Sequence, residues 1–169
     1  MRSALKLVSS ENINPVAGPS IEIVETQARH IRDLMENIRP EDRREIEAVG
    51  MYYKKGIWQS FKRGIMNHTA LIDGKVAACW GVGGSYMGQT AQPYLLTTDE
   101  VKKVSPLKFA RIYQLQVLEM LEIAPVLENY VLASYTESRR LLEICGFTLG
   151  DPEPIGPKKT MFCKFRRER

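Results

Sequence analysis

The sequence has few of the residues that bind metals or form disulfides. Its three cysteines, Cys79, Cys145 and Cys163, are an odd number without close pairing, and the chain has only two histidines. Zinc sites need cysteine or histidine pairs at short spacing, and none is present. We therefore expect no metal site, and we expect the cysteines to behave as small apolar residues of the core.

Long apolar segments are also missing. No run approaches the roughly 18 consecutive apolar residues of a membrane span, and the N-terminus lacks the apolar core of a signal peptide. We therefore expect no membrane span and a protein that stays in the cytoplasm or is packaged from it. What is present is ordinary for a globular protein: 169 residues, 44% apolar and 26% charged, which favours one domain with a substantial core.

The excess of positive charge is modest, +4 in all. Much of it lies near the C-terminus, in Lys158, Lys159 and the segment 164–169. We interpret residues 166–169 as a basic tail. Such a tail is the one part of the chain that we expect to be able to contact nucleic acid, and a purely solvated tail is the alternative.

Apolar periodicity and turn residues predict eleven elements after an extended or flexible lead-in over residues 1–20. In order, they are a strand at 21–25; helices at 28–37, 40–49 and 55–64; strands at 68–72, 75–82 and 91–96; a helix at 107–123; a strand at 130–133; a helix from 136 that stops at Gly146; and a strand at 160–165. Three prolines and one glycine predict a loop over 151–157.

Some of these elements carry more specific expectations. Thr26 is a suitable cap for the first helix, and Ser134 or Thr136 for the last one. Gly146 suits the left-handed position that follows a final helical turn. The long helix at 107–123 is apolar nearly all round, which predicts that it is mostly buried.

This order of elements resembles the GNAT (N-acetyltransferase) superfamily over residues 21–165. The hairpin sequence Ile-Asp-Gly-Lys-Val-Ala at 72–77 and the helix ending Gly146-Phe147 are typical of that superfamily. The resemblance implies a single domain of α/β (α+β) class over 21–165. We expect a mixed, mainly antiparallel central sheet with helices on both faces.

The resemblance implies acetyl-CoA as the cofactor, but the matching motif is absent. Enzymes of this type bind the CoA pyrophosphate with a glycine-rich loop between the fourth strand and the long helix, whereas segment 96–106 contains no glycine. Its Asp99 and Glu100 would repel a pyrophosphate. If CoA binding is retained, the resemblance places it on Leu95, Leu96, Thr97, Lys102, Lys103, Ser134 and Ser138.

The residues expected for catalysis are absent as well. Four residues before Gly146, where the family often has a proton-donating tyrosine, the chain has Leu142, and Tyr135 replaces the usual asparagine at the helix start. The fourth strand, 91–96, contains no carboxylate, and we expect Glu119 on the long helix to be solvated. We therefore predict no catalytic residue and a degenerate acetyl-CoA site, and leave open whether the chain is an enzyme.

Several segments also resemble GNAT-like proteins of bacteriophages, especially podoviruses. They are the charged helix start at 39–45, Pro93–Leu96, Leu127–Val131 and Thr136–Arg139. That group is linked to internal virion or virion-assembly proteins. The resemblance implies a virion-associated structural or interaction protein with other phage proteins as partners, present in the host cytoplasm and packaged in the virion. The alternatives are an active acyl-CoA-dependent N-acetyltransferase with a divergent phosphate-binding loop, and a nucleic-acid or regulatory binding module.

Overall fold

The structure is a computed structural model that describes residues 18–84 and 89–169. Most of the predicted lead-in over 1–20 lies outside the described residues. The elements are β1 (Ile21–Glu25), α1 (Ala28–Asn37), α2 (Pro40–Ala48), α3 (Tyr53–Arg63), β2 (Gly64–Ile72), β3 (Lys75–Gly84), β4 (Thr90–Thr97), a 3-10 helix (Asp99–Lys103), α4 (Pro106–Ile123), β5 (Val126–Leu132), α5 (Thr136–Ile144), β6 (Thr148–Ile155) and β7 (Thr160–Glu168).

The strands form one seven-stranded sheet in the order β1-β2-β3-β4-β5-β7-β6. Every neighbouring pair is antiparallel except β4 and β5, which are parallel. One apolar cluster joins the sheet to α4 and α5, and a second joins β3 to α1 and α3. The predicted mixed, mainly antiparallel sheet with helices on both faces is therefore confirmed.

Strand β3 lies inside the sheet and contributes to both clusters. Trp80 packs in the α4 cluster and Cys79 in the α1 cluster, and both side chains are fully buried. This follows from the alternation of side chains along a strand. Cys145 and Cys163 are also fully buried, so the expectation that the cysteines are core residues is confirmed.

The hairpin between β2 and β3 has the predicted two-residue turn. Asp73 and Gly74 both have positive φ, 49° and 77°, as required by the turn type whose twist matches paired strands. The turn residue Asp73 also accepts a hydrogen bond from the backbone N–H of Ser20, 3.0 Å away. The start of the described chain is thereby held against the hairpin.

Two predictions near the C-terminus are wrong. The loop expected over 151–157 is largely strand β6, which pairs only with β7 and forms an edge of the sheet. Prolines are tolerated at a sheet edge because the unpaired side needs no N–H donor. The basic tail over 166–169 is also part of the fold, because β7 continues to Glu168 and Arg169 donates its backbone N–H to the Pro125 carbonyl.

The predicted helix caps are wrong in detail. The hydroxyl of Thr26 lies 2.9 Å from that of Thr69 in the sheet, and Gln27 is the residue that precedes α1. At the other end of the chain Tyr135 precedes α5 and makes no side-chain cap. Gly146 does have the predicted positive φ, 83°. The helix predicted at 55–64, α3, begins two residues earlier, at Tyr53.

The long helix α4 is not buried all round. Its inner face packs on the sheet through residues such as Tyr113 and Val117, but four apolar side chains on the outer face are solvent-exposed. These are Leu107, Leu115, Leu118 and Ile123. Sequence composition alone does not separate a helix covered on both faces from one whose outer face is apolar and uncovered. Glu119 is exposed, as predicted.

Candidate functional site

The parallel strands β4 and β5 separate soon after they begin. They pair only at Thr90 with Val126 and at Ala91 with Leu127. Beyond these pairs the strands diverge toward their C-terminal ends, and a cavity of about 1080 Å³ opens between them. We call this opening the split. Asn129 bridges it by donating a hydrogen bond from its side-chain nitrogen to the Pro93 carbonyl, at 2.9 Å.

The cavity passes through the sheet, since residues from both layers of helices line it. Gln59 and Ser60 of α3 contribute from one face, and Ser138 and Leu142 of α5 from the other. Tyr94 lines the wall formed by β4 and donates its hydroxyl hydrogen to the Asn67 side chain, 2.5 Å away. Most of this lining is apolar or uncharged, and its charged residues are Glu45, Lys62, Arg63 and Glu128.

Helix α2 closes the wide end of the split with a buried carboxylate. Oδ2 of Asp42 accepts hydrogen bonds from the backbone N–H of Thr97 at 2.8 Å and from the Thr97 hydroxyl at 2.6 Å. Oδ1 accepts one from the Tyr135 hydroxyl at 3.0 Å. Burial raises the pKa of the Asp42 carboxyl, although these hydrogen bonds lower it. Asp42 thus joins the end of β4 to the residue before α5.

A second carboxylate of α2 reaches the other strand. Oε2 of Glu45 accepts the backbone N–H of Leu132, the last residue of β5, at 3.0 Å. Burial, together with the nearby Asp42 carboxylate, raises the Glu45 pKa to about 7, although the hydrogen bond from Leu132 lowers it. Glu45 is therefore a carboxyl group in the cavity wall whose pKa lies near neutrality, which is a feature of general bases.

An ion pair fixes the beginning of α2 on the same side of the split. The Arg39 guanidinium, whose side chain is 12% exposed, lies 2.9 Å from the Glu137 carboxylate at the start of α5. The backbone N–H of Arg39 also donates to the Thr97 carbonyl at 3.0 Å. Helix α2 is therefore held across the ends of β4 and β5 by three residues. Arg39 directly precedes the helix, and Asp42 and Glu45 lie within it.

The connection from β4 to α4 uses its own backbone donors. Thr98 donates its N–H to the Ala77 carbonyl, and Glu100 donates to the Thr98 hydroxyl oxygen. At the start of α4, the Lys108 N–H donates to the Ser105 hydroxyl oxygen. A phosphate-binding loop needs backbone N–H groups that point outward and have no partner in the protein. Here the N–H groups of Thr98, Glu100 and Lys108 have acceptors within the protein.

The two lysines of this connection are also paired. Nζ of Lys102 lies 2.6 Å from Asp99 and Nζ of Lys103 lies 2.5 Å from Glu100, both within the same 3-10 helix. These pairs hold the pKa of Asp99 below and that of Lys103 above its ordinary value. The sequence suggested that these lysines would offer charge to a phosphate, and the structure gives each an acidic partner.

The structure brings only some of the conditional CoA residues together. Leu95, Leu96 and Ser138 line the cavity. Thr97 is buried with both of its donors on Asp42, and Ser134 is exposed outside the cavity lining. Lys102 and Lys103 are not among the lining residues either.

The two positions that the resemblance compares with functional residues of the family are Leu142, within α5, and Tyr135, directly before it. Leu142 lies in the cavity wall and is buried, so an apolar side chain occupies the position of the family's proton donor. Tyr135 lies at the start of α5 and uses its hydroxyl on Asp42. Burial and the Asp42 carboxylate both raise the Tyr135 pKa, which keeps this hydroxyl protonated.

Sequence reasoning missed Asp42 and Glu45 as site residues. Both belong to the helix predicted at 40–49, for which the sequence predicted no site role. The available signal was their spacing, because residues three apart share one face of a helix. The strand groups that donate to them, the backbone N–H groups of Thr97 and Leu132, have no signature in the side-chain sequence.

Two further observations limit the chemistry of the described residues. Within 18–84 and 89–169, no three histidine, cysteine, aspartate or glutamate side chains are placed to hold a metal ion. Over the same residues, no helix is both long and apolar enough to cross a membrane.

No protein-family model matches the chain, and no curated protein matches it. Solved structures do. A GNAT-family acetyltransferase from Bacillus anthracis superposes with a TM-score of 0.65 at 9% identity, over 88% of this chain and 94% of that one. The ribosomal-protein-S18-alanine N-acetyltransferase from Escherichia coli gives a TM-score of 0.62 at 15% identity, over 88% and 94%.

A third similar structure contains a ligand. The Bacillus subtilis acetyltransferase in complex with CoA superposes with a TM-score of 0.60 at 13% identity, over 89% of this chain and 99% of that one. At such identities the likeness establishes the fold, and function has to be argued from the site. The chain has the GNAT fold, as the order of elements predicted.

Proposed function

We propose that this protein uses the GNAT fold for binding and does not transfer acyl groups from CoA. The observation that carries the proposal is the connection from β4 to α4. It has no glycine, its backbone donors at Thr97, Thr98 and Glu100 have internal acceptors, and its two lysines are paired with acids. A pyrophosphate would have to break several of these interactions before it could bind.

The buried charge near the end of β4 supports the same proposal. Asp42 places a carboxylate on the Thr97 N–H, close to where a phosphate would need a donor. Two anions at short distance in a partly buried site repel each other strongly. Leu142 in the cavity wall adds a second argument, because it has no proton to give to a departing thiolate.

As partners we propose other bacteriophage proteins, in or during assembly of the virion. This part rests on the sequence segments 39–45, 93–96, 127–131 and 136–139, which resemble GNAT-like phage proteins. The protein would then be found in the host cytoplasm and packaged in the particle. Nucleic acid is not part of the proposal, since the arginines of 166–169 bind acids and carbonyls of the fold.

Calorimetry with acetyl-CoA tests the loss of the cofactor site. We expect neither heat of binding nor a shift in melting temperature up to about 1 mM ligand, which corresponds to binding weaker than about −4 kcal/mol. Micromolar affinity, about −8 kcal/mol, would overturn the proposal. A melting curve of the same sample controls for folding.

Mass spectrometry of purified phage particles tests the partner. We expect peptides of this chain in the particles at a constant ratio to the capsid protein through successive purification steps. Presence in the infected-cell lysate together with loss from the particles would exclude the virion role, and it would leave the proposal on CoA unaffected.

One observation favours a second candidate, an active acyl-CoA-dependent N-acyltransferase. The cavity is large enough for a ligand, and Glu45 in its wall has a pKa near 7, so it can accept the proton of an attacking amine. On this candidate, acyl transfer from acetyl-CoA to a panel of peptide and polyamine amines should be measurable. It should fall at least about tenfold in Glu45→Gln, and absence of turnover in the wild-type protein would exclude the candidate.

A further inference from the structure

The outer face of α4 exposes apolar side chains in an unusual amount. Leu115, near the middle of the helix, is 61% exposed, and Leu107, Leu118 and Ile123 are 57%, 46% and 41% exposed. Single exposed leucines are common on monomers. Here Leu118 lies about 60° from Leu115 around the helix, and Leu107 and Ile123 lie about 80° from it on opposite sides. The four therefore form a band across the outer face, and apolar patches on soluble proteins mark interaction sites.

Charged residues on this face are arranged symmetrically about Leu115. Counting outward in both directions, Arg111 and Glu119 lie at equal distances from Leu115, and so do Lys108 and Glu122. Each basic residue before the centre thus has an acidic residue at the mirror position after it. With about 100° of rotation per residue, all four lie within about 40° of Leu115 around the helix.

The apolar residues obey the same symmetry. Leu107 and Ile123 lie at equal distances from Leu115, and so do Ile112 and Leu118. Ile112 is partly buried and the others are exposed. The residue types of this face are therefore symmetric about Leu115. Each apolar position has an apolar one at the mirror position, and each basic position has an acidic one.

The charges of this face have no ion-pair partner within the described part of the chain. The salt bridges of residues 18–84 and 89–169 do not include Lys108, Arg111, Glu119 or Glu122. All four side chains belong to exposed residues. They are available to a partner that approaches this face.

We infer that this outer face of α4 binds a second copy of the same chain, with the two α4 helices antiparallel and a two-fold axis beside Leu115. In a two-fold interface, residue i contacts residue j and residue j contacts residue i. Antiparallel packing about Leu115 places the basic half of one helix against the acidic half of the other. The mirror arrangement of charge is what such an interface requires, and an unrelated partner would not require it.

The expected affinity follows from the size of the contact. A single helix face buries an area at the small end of specific protein interfaces. We therefore expect a dissociation constant in the micromolar range, on the order of 1–50 µM. The inference does not depend on the proposed function. The dimer contact uses the outer face of α4, whereas the split lies on the inner side of that helix.

Light scattering coupled to size-exclusion chromatography tests the dimer on the full chain. At about 500 µM, at least tenfold above the expected dissociation constant, we expect a mass approaching twice the 19.3 kDa of one chain. Leu115→Glu puts two like charges at the axis and should raise the dissociation constant at least about tenfold. Tyr52→Glu is the matched control, since Tyr52 is equally exposed, 61%, but lies outside α4; it should dimerise as the wild type does.

Charge reversal tests the antiparallel arrangement itself. One variant, Lys108→Glu with Arg111→Glu, makes the whole face acidic. The other, Glu119→Lys with Glu122→Lys, makes it basic. Each alone should be monomeric because like charges then oppose each other, and an equimolar mixture should form a heterodimer whose affinity falls at high salt.

Three results would overturn the inference. The first is a wild-type chain that stays monomeric at about 500 µM, well above a micromolar dissociation constant. The second is a dimer that Leu115→Glu leaves unchanged, which would place the interface elsewhere. The third is a mixture of the acidic and basic variants that remains monomeric while each variant keeps the wild-type melting temperature.

Discussion

The two ends of the β4–β5 pair are held together by different kinds of group. At the N-terminal end, backbone joins backbone, through the pairing of Thr90 and Ala91 with β5. At the C-terminal end, the last N–H groups of both strands donate to side chains of α2, Thr97 to Asp42 and Leu132 to Glu45. The first end is held by ordinary sheet pairing. At the second end, side chains of α2 provide the hydrogen-bond acceptors that a neighbouring strand would otherwise provide.

On our proposal, this difference allows the fold to persist without the cofactor site. A parallel sheet that separates leaves polar backbone groups exposed in its split, and these groups need partners. In an acyltransferase of this fold, the cofactor and its glycine-rich loop belong to this region. Here two carboxylates accept the last N–H groups of the strands, and on our proposal they leave no backbone donor at this end for a phosphate.

The largest expected effect is on Asp42, because it holds the side-chain end. Asp42→Ala leaves the Thr97 N–H, the Thr97 hydroxyl and the Tyr135 hydroxyl without their acceptor. We expect a loss of about 3–5 kcal/mol in the free energy of unfolding, measured by urea denaturation. The backbone-paired end should keep its slow amide exchange near Ala91.

Glu41→Ala serves as the control for Asp42→Ala. It removes a carboxylate from the preceding position of α2, whose nearest cation, Arg39, is 3.7 Å away. We expect a change below about 1 kcal/mol. Equal losses in the two variants would mean that Asp42 has no special role at the strand end.

The second effect, on Glu45, depends on pH. Its folded-state pKa of about 7 lies above the ordinary value of 4.5, so ionisation of Glu45 destabilises the folded protein. The stability that this group contributes is complete below about pH 4.5 and is lost as the pH rises through about 7. Glu45→Gln keeps an acceptor for the Leu132 N–H and cannot ionise. We expect it to match the wild type at pH 4 and to exceed it by about 3 kcal/mol at pH 8.

Urea denaturation at several pH values provides the measurement. Glu47→Gln is the matched control, because Glu47 lies on the exposed side of the same helix and pairs with Arg43. This control should follow the wild-type dependence on pH. A Glu45→Gln variant that is no more stable than the wild type at pH 8 would show that Glu45 does not titrate in this way.

A smaller effect is expected between the two ends, at Asn129. Its side chain donates to the Pro93 carbonyl across the split and accepts the Tyr130 N–H, both at 2.9 Å. Because the site is partly exposed, water can replace some of these bonds, and Asn129→Ala should lose about 1–2 kcal/mol in urea denaturation. A loss as large as that of Asp42→Ala would mean that the middle of the split, and not α2, holds the strands together.

The smallest effect is expected on the lysines after β4. Lys102→Ala with Lys103→Ala removes two exposed ion pairs, and such pairs contribute little to stability. We expect an unchanged urea midpoint and, by calorimetry, the same absence of acetyl-CoA binding as in the wild type. If the wild-type chain binds CoA and the double variant does not, these lysines contribute to CoA binding, as the resemblance implied.

The sequence predicted the fold better than it predicted the site. Periodicity and turn residues located most elements, and the Asp73-Gly74 hairpin and Gly146 behave as their conformational preferences require. Strand β6 was missed because its prolines indicate a loop, and only its edge position makes them compatible with a strand. The exposure of Leu115 was missed because helix composition does not specify what covers each face.

The site was predicted mainly through what it lacks. Loss of the glycines in 96–106 and the presence of Leu142 could be read directly from the sequence. Asp42 and Glu45 could not be assigned, because the groups that donate to them, among them the backbone N–H groups of Thr97 and Leu132, lie more than 50 residues away in the chain. Backbone partners are chosen by tertiary geometry, which local sequence patterns do not contain.

An amide-resolved NMR titration with acetyl-CoA tests the central claim most directly. We propose that the end of β4 and the start of α4 do not accept a CoA phosphate. Asp42 accepts the Thr97 amide, and other internal acceptors hold the amides of Thr98 and Glu100. We predict that these three resonances stay in place up to about 1 mM ligand. Progressive, saturable shifts concentrated on these amides would contradict the account.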